Sequence, residues 1–398
     1  MKNLLEQANA LKDELIRHRR HIHQNAETGF DTPKTKKYIT ECLEKMGYAP
    51  KECGRAGIKA EVGNGNKAIL LRADTDALPI TEESGEDFCS AKNMHACGHD
   101  MHTAMLLGAA SILKEKEHLL KGKITLMFQP AEEILEGAKD MIQNGILDTV
   151  TCALMIHVIT GVDIPAGTVI VSSPGVSAPA SDHFMIKVNG KGCHGSAPWQ
   201  GKDASLICAQ IINALQVLQS REIHPSEETV LTIGSVQAGA VGNAIADNGV
   251  MLGTARSYSA KTREYLKKRI AEISQGITLV YGGGCEVIFT AGTPPLVNEK
   301  EISEAVFKNC CEFLQKEKVL TTAMISPDGR VARGGGSEDF AYISEAVPSV
   351  MVSVTAGEKE KGYLFPQHHP KARFDEDALA VGAAVYAVNG IMLSELAH

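Results

Sequence analysis

The sequence predicts an α/β protein in which a discontinuous domain, built on a mixed sheet flanked by helices, closes around an inserted α+β domain. Three observations lead to this prediction. The chain has 398 residues, more than one core usually holds at about 150 residues per domain. Helical and strand patterns alternate through its first half. From about Ser181 the order of elements changes.

The first half follows the 3.6-residue period of helices and the two-residue period of strands in turn. Helices are predicted up to about residue 24 and over residues 34–46, 102–116 and 138–144, and strands over residues 58–62, 68–73, 123–128 and 153–157. Strands interleaved with helices are typical of a sheet that has helices on both faces.

The next segment has the order β-α-β-β-α-β, which is that of the split ferredoxin-like sandwich. Its strands are predicted at residues 182–188, 229–237, 249–257 and 286–290, and its helices at residues 204–220 and 261–280. Helical and strand patterns then resume and end in a helix over residues 376–395. We expect domains at residues 1–181, 182–292 and 293–398, with the first and last forming one unit.

Composition narrows the class of protein. A net charge of −8 disfavours nucleic acid and anionic membranes as partners, because both attract a basic surface. No apolar run approaches the roughly 20 residues of a membrane helix, and the charged N-terminal segment is unlike a signal peptide. Ten scattered cysteines are typical of a reducing compartment. We expect a cytoplasmic protein that acts on a small molecule.

The strongest local signal is HACGHD, from His95 to Asp100. Imidazoles, a thiol and a carboxylate in so short a stretch can converge on one point, and the glycine permits a tight turn. A lone histidine or cysteine would more often be structural. The cluster therefore favours a metal site.

Three further segments carry metal-capable side chains. Glu132 and Glu133 follow an apolar strand. At this position one carboxylate can bind metal while the other carries protons. A solvated pair of glutamates that caps the next helix is equally consistent with these residues. His157 ends another buried strand, where a core histidine is the commoner case. His368 and His369 precede the last helix.

Together these segments supply five candidate ligands. They are Cys97, His99, Glu133, His157 and one of His368 or His369. Five ligands suit two divalent ions better than one structural ion, which normally has four ligands at short paired spacings.

Several motifs follow one another along almost the whole chain. They are RHRRHIH from Arg17, LRADTDALP from Leu71, HACGHD, QPAEE from Gln129, His157, GCHGSAP from Gly192, GTAR from Gly253 and GSEDF from Gly336. In these motifs and their order the chain resembles the co-catalytic metallopeptidase family that includes aminoacylases, hippurate hydrolase, plant auxin-conjugate hydrolases and bacterial glutamate carboxypeptidase. The resemblance is specifically to its amidohydrolase branch.

The resemblance implies a role for each matched residue. The metal ligands would be Cys97, His99, Glu133, His157 and His368. His368 stands two residues before proline in an H-x-P motif, and His369 is the substitute. Glu132 matches the general base, and Asp76 matches an acid that orients the ligands, although by itself Asp76 could equally satisfy a turn. The two divalent ions would be Zn or Mn, with Co or Ni as alternatives.

The same resemblance makes the insert a lid and dimerisation domain, so we expect a homodimer. His194 matches a histidine that stabilises the oxyanion in the partner's site, and Arg256 matches an arginine that meets the substrate carboxylate. Asn243 and Gly336 are further expected substrate contacts. The family's proline after the asparagine is replaced here, since Ala246 stands at that place. Without the resemblance, the histidine and arginine would be ordinary turn and surface residues.

The predicted activity is hydrolysis of the amide bond of an N-acyl amino acid or a related small conjugate, releasing a carboxylic acid and an amino acid. The main alternative is a metal-dependent dipeptidase or aminopeptidase on the same site. A metal-dependent binding protein without turnover is disfavoured, because it needs no free carboxylate like Glu132 beside a ligand. A hydrolase with Cys97 as nucleophile is disfavoured by the number of surrounding ligands.

Overall fold

The computed structural model describes residues 2–325 and 336–397. These residues form two compact units. The first unit comprises residues 2–177, 297–325 and 339–397, and the second comprises residues 178–296 and 336–338.

The helices and strands are numbered in chain order. The helices are α1 (Lys2–Ala10), α2 (Lys12–Gln24), α3 (Pro33–Lys45), α4 (His99–Glu115), α5 (Gly137–Gln143), α6 (Ala204–Leu215), α7 (Ala260–Val280), α8 (Lys300–Phe313), α9 (Thr322–Ile325), α10 (Phe340–Ala346) and α11 (Ala378–Leu393). The strands are β1 (Lys51–Cys53), β2 (Gly57–Val62), β3 (Ala68–Asp74), β4 (Lys123–Gln129), β5 (Val150–Ile159), β6 (Val169–Val171), β7 (Gly175–Ala178), β8 (Ala180–Asn189), β9 (Cys193–His194), β10 (Thr229–Ala238), β11 (Ala244–Ile245), β12 (Asn248–Ser257), β13 (Gly284–Thr293), β14 (Leu296–Asn298), β15 (Val319–Thr321) and β16 (Ser349–Thr355).

The first unit is built on an eight-stranded mixed sheet with the order β1-β2-β4-β3-β5-β16-β6-β15. Its central strands β4, β3, β5 and β16 are parallel neighbours. Every residue of β3 is buried, as expected of a strand that is covered on both faces. α4 packs on β3 and against α11, while α5 and α10 pack against each other. The predicted mixed sheet flanked by helices is confirmed.

Helix α11 is a core helix of the first unit, in contact with α1, α2, α4 and α8. The stretch Ala378–Leu396 is long and apolar enough to cross a membrane, and 72% of it is buried inside the protein. The expectation that no run approaches this length is therefore wrong. Burial on all sides explains the composition, because a helix surrounded by core is apolar all round.

The second unit contains a four-stranded antiparallel sheet with the order β10-β12-β8-β13. α6 and α7 pack against each other and on β12, and a separate ladder pairs β9 with β11. The strand order is that of the split β-α-β-β-α-β sandwich. The long strand β10 lies at one edge of the sheet.

Two predicted bounds differ in an informative way. The opening helix is interrupted at Leu11, which separates α1 from α2. α4 begins at His99, three residues before the predicted start, because Gly98 adopts a left-handed conformation (φ 95°) that ends the preceding turn. Asp100 then lies in the first helical turn, where the helix dipole favours a carboxylate.

Candidate metal centre

The candidate site lies at one edge of the sheet of the first unit. β3, β4 and β5 run parallel, so their carboxyl ends meet at the same edge. β3 ends at Asp74 opposite Gln129, the last residue of β4, and His157 lies near the end of β5. The segments that follow these strands carry the polar side chains predicted from the sequence.

A tight turn brings Cys97 and His99 to this edge. Gly98, between them, has a positive φ of 95°, and a Cβ atom there would lie 2.3 Å from Cγ2 of Val158. Only glycine fits both restrictions. The thiol and the imidazole are therefore presented from the start of α4 against the end of β5.

Two groups of three ligand atoms converge and share one residue. Cys97, His99 and His157 form the first group, and Cys97, Glu133 and His368 form the second, with the atoms of each group within 4.8 Å of one another. Sγ of Cys97 lies 3.5 Å from Nε2 of His157 and 3.4 Å from Nε2 of His368. Nε2 of His368 lies 3.7 Å from Oε2 of Glu133. All five predicted ligands are thus brought together, in an arrangement suited to two ions.

Asp76 connects three of the site residues. Its carboxylate is fully buried and accepts the backbone N–H groups of Glu132 (2.9 Å) and Glu133 (3.3 Å). Its backbone carbonyl accepts Nδ1–H of His99 at 2.8 Å. The residue before the pair, Ala131, has a positive φ of 60°, an uncommon conformation for a side chain other than glycine. Asp76 therefore holds a strained loop in place.

In the two histidines His99 and His157, a hydrogen bond from Nδ1 leaves Nε2 to face the site. Nδ1–H of His99 donates to Asp76, and Nδ1–H of His157 donates to the carbonyl of Val158 at 2.7 Å. A neutral imidazole has one donor and one acceptor nitrogen. Nε2 of both rings is therefore the nitrogen left to bind a cation, which would displace any proton that it carries.

Without a metal ion, the side chains of the site differ in protonation. Burial raises the pKa of the Cys97 thiol, more than neighbouring His99 lowers it. Burial lowers the pKa of His157 to about 3, which keeps this imidazole neutral. For His99 burial acts in the same direction, but the charges of Asp74 and Cys97 and the hydrogen bonds to Asp76 and Cys97 together outweigh it and raise the pKa well above its usual value.

These properties test whether divalent ions fit. Within the described part of the chain, the buried Nε2 atom of His99 has no hydrogen-bond partner. Carboxylates of Glu132 and Glu133 lie 3.8 Å from that atom. A buried nitrogen ligand beside carboxylates and a thiol is the donor set of a transition metal, which would displace the thiol proton. The residues fit a metal centre.

His368 is the histidine of the pair that reaches the cluster. Its φ of 65° is uncommon for a histidine, and such strain is concentrated at functional sites. The ring of His369 instead stacks on Phe365 with centroids 4.3 Å apart. Its Nδ1 accepts the backbone N–H of Lys371 at 3.0 Å.

Comparisons with known proteins agree with this geometry. Residues 70–388 match the description of peptidase family M20/M25/M40. The chain belongs to this family. It is 36% identical over 375 residues to N-acetyl-L-cysteine deacetylase of Bacillus subtilis, covering 93% of this chain and 85% of the relative. It is 35% identical over 381 residues to IAA-amino acid hydrolase ILR1-like 6 of Arabidopsis thaliana, covering 94% and 78% of the two chains. These relatives place the chain in the amidohydrolase branch, and it is a hydrolase.

Two solved structures extend the comparison. A protein from methicillin resistant Staphylococcus aureus superposes with a TM-score of 0.90 at 34% identity, with full coverage of both chains. The YXEP protein of Bacillus subtilis, a dinuclear metal binding peptidase from the M20 family, superposes with a TM-score of 0.80 at 29% identity, covering 97% of this chain and 99% of that one. The resemblance to the metallopeptidase family that we inferred from the motifs is confirmed.

This member of the M20/M25/M40 family also has a buried network of polar side chains to which the sequence analysis assigned no function. Arg72, which is fully buried, donates to Asp74 (2.6 Å), Asp339 (2.9 Å) and Gln129 (2.9 Å). His102 contacts Asp74 through Nδ1 at 2.5 Å. Most of these residues lie in the LRADTDALP, QPAEE and GSEDF motifs, so their presence in motifs was the available signal.

The other predicted site residues of this family member lie in the second unit. Nδ1 of exposed His194 accepts the backbone N–H of Ser196 at 3.2 Å, which leaves Nε2–H as the donor that points outward. The carbonyl of Asn243 accepts the N–H of Gly195 at 2.8 Å, so the histidine and asparagine are neighbours.

Arg256 lies on β12 and its Nη1 contacts Oγ of Ser337 at 3.2 Å. Gly336 precedes that serine and is exposed, and no atom of the described residues lies within 4 Å of its Cβ position. The arginine and the start of the GSEDF motif are therefore close together in the second unit.

Proposed function

We propose that the chain uses two divalent ions to hydrolyse the amide bond of N-acylated amino acids or related small conjugates, releasing a carboxylic acid and an amino acid. The observation that carries this proposal is the pair Glu132-Glu133, whose backbone is fixed by Asp76. Carboxylate oxygens of both glutamates lie 3.8 Å from Nε2 of His99, and Oε2 of Glu133 also lies 3.7 Å from Nε2 of His368. One carboxylate is placed to bind metal and the next to carry protons.

The roles of the chain's own residues follow from this placement. Cys97, His99, Glu133, His157 and His368 would hold the ions. When bound, such ions polarise the substrate carbonyl and lower the pKa of water toward neutrality. Glu132, which is 6% exposed, takes a proton from the attacking water and returns it to the leaving amine.

The second unit supplies groups for the rest of the substrate in this proposal. The outward Nε2–H of His194 is a suitable hydrogen-bond donor to a developing oxyanion. Arg256 offers a planar guanidinium for the substrate carboxylate, and Asn243 and Gly336 supply further contacts. We propose that this unit is the lid and dimerisation domain, and that the protein is cytoplasmic.

A homodimer is part of the proposal. The edge strand β10 is ten residues long, and its side chains Val230 and Val236 are 51% and 46% exposed. An edge strand with apolar side chains is a template for pairing with another chain. Light scattering should give a dimer mass, and a fully active monomer at all concentrations would contradict both the dimer and the trans role of His194.

Zn or Mn are the proposed ions, with Co or Ni as alternatives, because the ligand set mixes a thiol, imidazoles and a carboxylate. Metal analysis of protein purified without added metal tests this choice.

A peptide substrate is the second candidate. It is favoured by 36% identity over 397 residues to thermostable carboxypeptidase 2 of Saccharolobus solfataricus, covering 96% of each chain.

The deciding experiment measures amine release from a panel of N-acyl amino acids and dipeptides. We expect cleavage of acyl amino acids by metal-loaded enzyme, a loss of about 100-fold or more in Glu132→Gln, and no activity after chelation. Faster cleavage of dipeptides would support the peptidase alternative. No turnover of any substrate despite two bound ions would support the binding-protein alternative.

A further inference from the structure

We propose that the backbone of Val158 is a common anchor for two metal-binding histidines, and that His102, at its N–H, and Gln367, at its carbonyl, are positioning residues that act through it. The proposal rests on the metal centre of the proposed function. The carbonyl of Val158 accepts Nδ1–H of His157 and Nε2–H of Gln367, both at 2.7 Å. Its N–H donates to Nε2 of His102 at 2.8 Å.

His102 resembles a sixth ligand but has no nitrogen to offer. It is fully buried, its ring centroid lies 4.6 Å from that of His157, and it forms a potential metal group with Asp74 and His99. Nε2 receives the N–H of Val158, so the proton must lie on Nδ1, which contacts Asp74 at 2.5 Å. Both nitrogens are therefore used in holding the protein together.

The carbonyl of Val158 sets the orientation of the two ligand histidines. A carbonyl oxygen has two lone pairs, and here one receives His157 itself while the other receives the neighbour of His368. The first bond directs Nε2 of His157 toward Sγ of Cys97, 3.5 Å away. A rotation of the Val158–Ile159 peptide group, which carries this carbonyl, would displace ligands from both groups of the site.

The hydrogen bond from Gln367 to Val158 is important because the next residue, His368, has a strained backbone conformation. His368 has a φ of 65°, and its backbone N–H is held by the carbonyl of Ala96 at 3.0 Å. The amide of Gln367 on Val158 is the second fixed point of the same loop. Without it, the loop can relax toward an ordinary conformation and withdraw the imidazole of His368.

The other side of the anchor is rigid. Asp74 holds His102 through one carboxylate oxygen and Arg72 through the other (2.6 Å). Arg72 is itself fixed by Asp339 and Gln129. The position of the Val158 N–H, and with it the start of the backbone segment that carries the anchoring carbonyl, is thus set by a buried network that extends to the end of β4.

A matched pair of substitutions separates the two bonds of His102. His102→Gln can place an amide oxygen near the former Nε2 and keep an acceptor for Val158, whereas His102→Asn keeps a donor near the former Nδ1 and loses that acceptor. Gln367→Met removes the bond to Val158 with little change of length. His18→Gln is the control, because His18 is a buried histidine of the same unit that contacts Tyr38.

The measurements are Zn²⁺ affinity, by competition with a chromophoric chelator, and the visible spectrum of the Co²⁺-loaded protein, which reports thiolate and imidazole ligation. We expect His102→Asn and Gln367→Met to weaken Zn²⁺ binding about 10–100-fold and to shift the Co²⁺ spectrum. His102→Gln should lose less affinity, and His18→Gln should be unchanged. Thermal unfolding of each metal-free variant shows whether it folds.

Two results would overturn the proposal. One is wild-type affinity and spectrum in Gln367→Met, which decides the matter even where His102→Asn does not fold. The other is an equal loss in His102→Asn and His102→Gln, which would assign the effect to Asp74 or to packing. Affinity is measured without substrate, so a protein that binds both ions normally but cleaves no amide would contradict the proposed function alone.

Discussion

The buried ion pair of His23 predicts a specific dependence of stability on pH. His23, in the RHRRHIH motif, is 2% exposed. Its Nδ1 lies 2.9 Å from Asp100 and its Nε2 lies 3.1 Å from Glu82. Burial by itself lowers the pKa of His23, but the hydrogen bonds to Asp100 and Glu82 outweigh it and raise the pKa to about 9.

The raised pKa gives the size and direction of the effect. The gap between the usual value of 6.5 and about 9 corresponds to about 3 kcal/mol of folding free energy, at about 1.4 kcal/mol per pKa unit. This contribution is fully present below pH 6.5 and is lost as the pH rises through 9. The partner carboxyl shows the same interaction from the other side. Burial alone would raise the pKa of Glu82, but the hydrogen bond to His23, its charge and the hydrogen bonds from Ser84 and Ser90 together outweigh it, and the pKa falls to about 2.

The assay is urea unfolding of wild type and His23→Gln at pH 6 and pH 10. At pH 6 the variant should be less stable by at least about 3 kcal/mol, because it loses the charge of His23 beside the buried carboxylate of Glu82 and leaves Asp100 paired with Arg19 (3.0 Å). At pH 10 the difference should shrink by about 3 kcal/mol, since wild type has lost its own protonated imidazole. A difference of the same size at both pH values would refute the reasoning.

Three further predictions follow from the site. Asp76→Asn replaces a carboxylate that accepts two backbone N–H groups. We expect about 10–100-fold lower kcat for amine release and a free energy of unfolding in urea that is about 1–3 kcal/mol lower. An unchanged kcat would contradict the positioning role of Asp76. Gly137→Ala places a Cβ 1.7 Å from a backbone oxygen of the loop before Glu132, so it should lower Tm and activity together. The control Gly276→Ala has open space around its Cβ and should stabilise its helix by up to about 1 kcal/mol. Equal Tm values for the two variants would refute the steric argument. Removal of metal by a chelator should lower the Tm measured by scanning calorimetry. The decrease should correspond to about 4 kcal/mol at ion concentrations 1,000-fold above Kd. The same decrease in Tm for Cys97→Ala would show that this thiol is not a ligand.

Local patterns predicted the elements well where one period dominates. The strands β3 and β4 and the helix α7 begin and end within one residue of their predicted bounds. Strands such as β9 and β11 have two residues each, too few for any period to be visible. Their existence depends on pairing with each other, which is a tertiary property.

The sequence by itself determined which side-chain types the candidate site contains, because thiol, imidazole and carboxylate side chains follow the strands and turns that bring them to one sheet edge. It did not give a physical reason why His99, and not His102 on the same helix, faces the candidate site. His99 and His102 are three residues apart, so they lie on the same helix face. Only the tertiary structure decides between them, since the buried carboxylate of Asp74 and the N–H of Val158 occupy both nitrogens of His102. The carbonyl of Asp76 occupies one nitrogen of His99, and the other remains for the site.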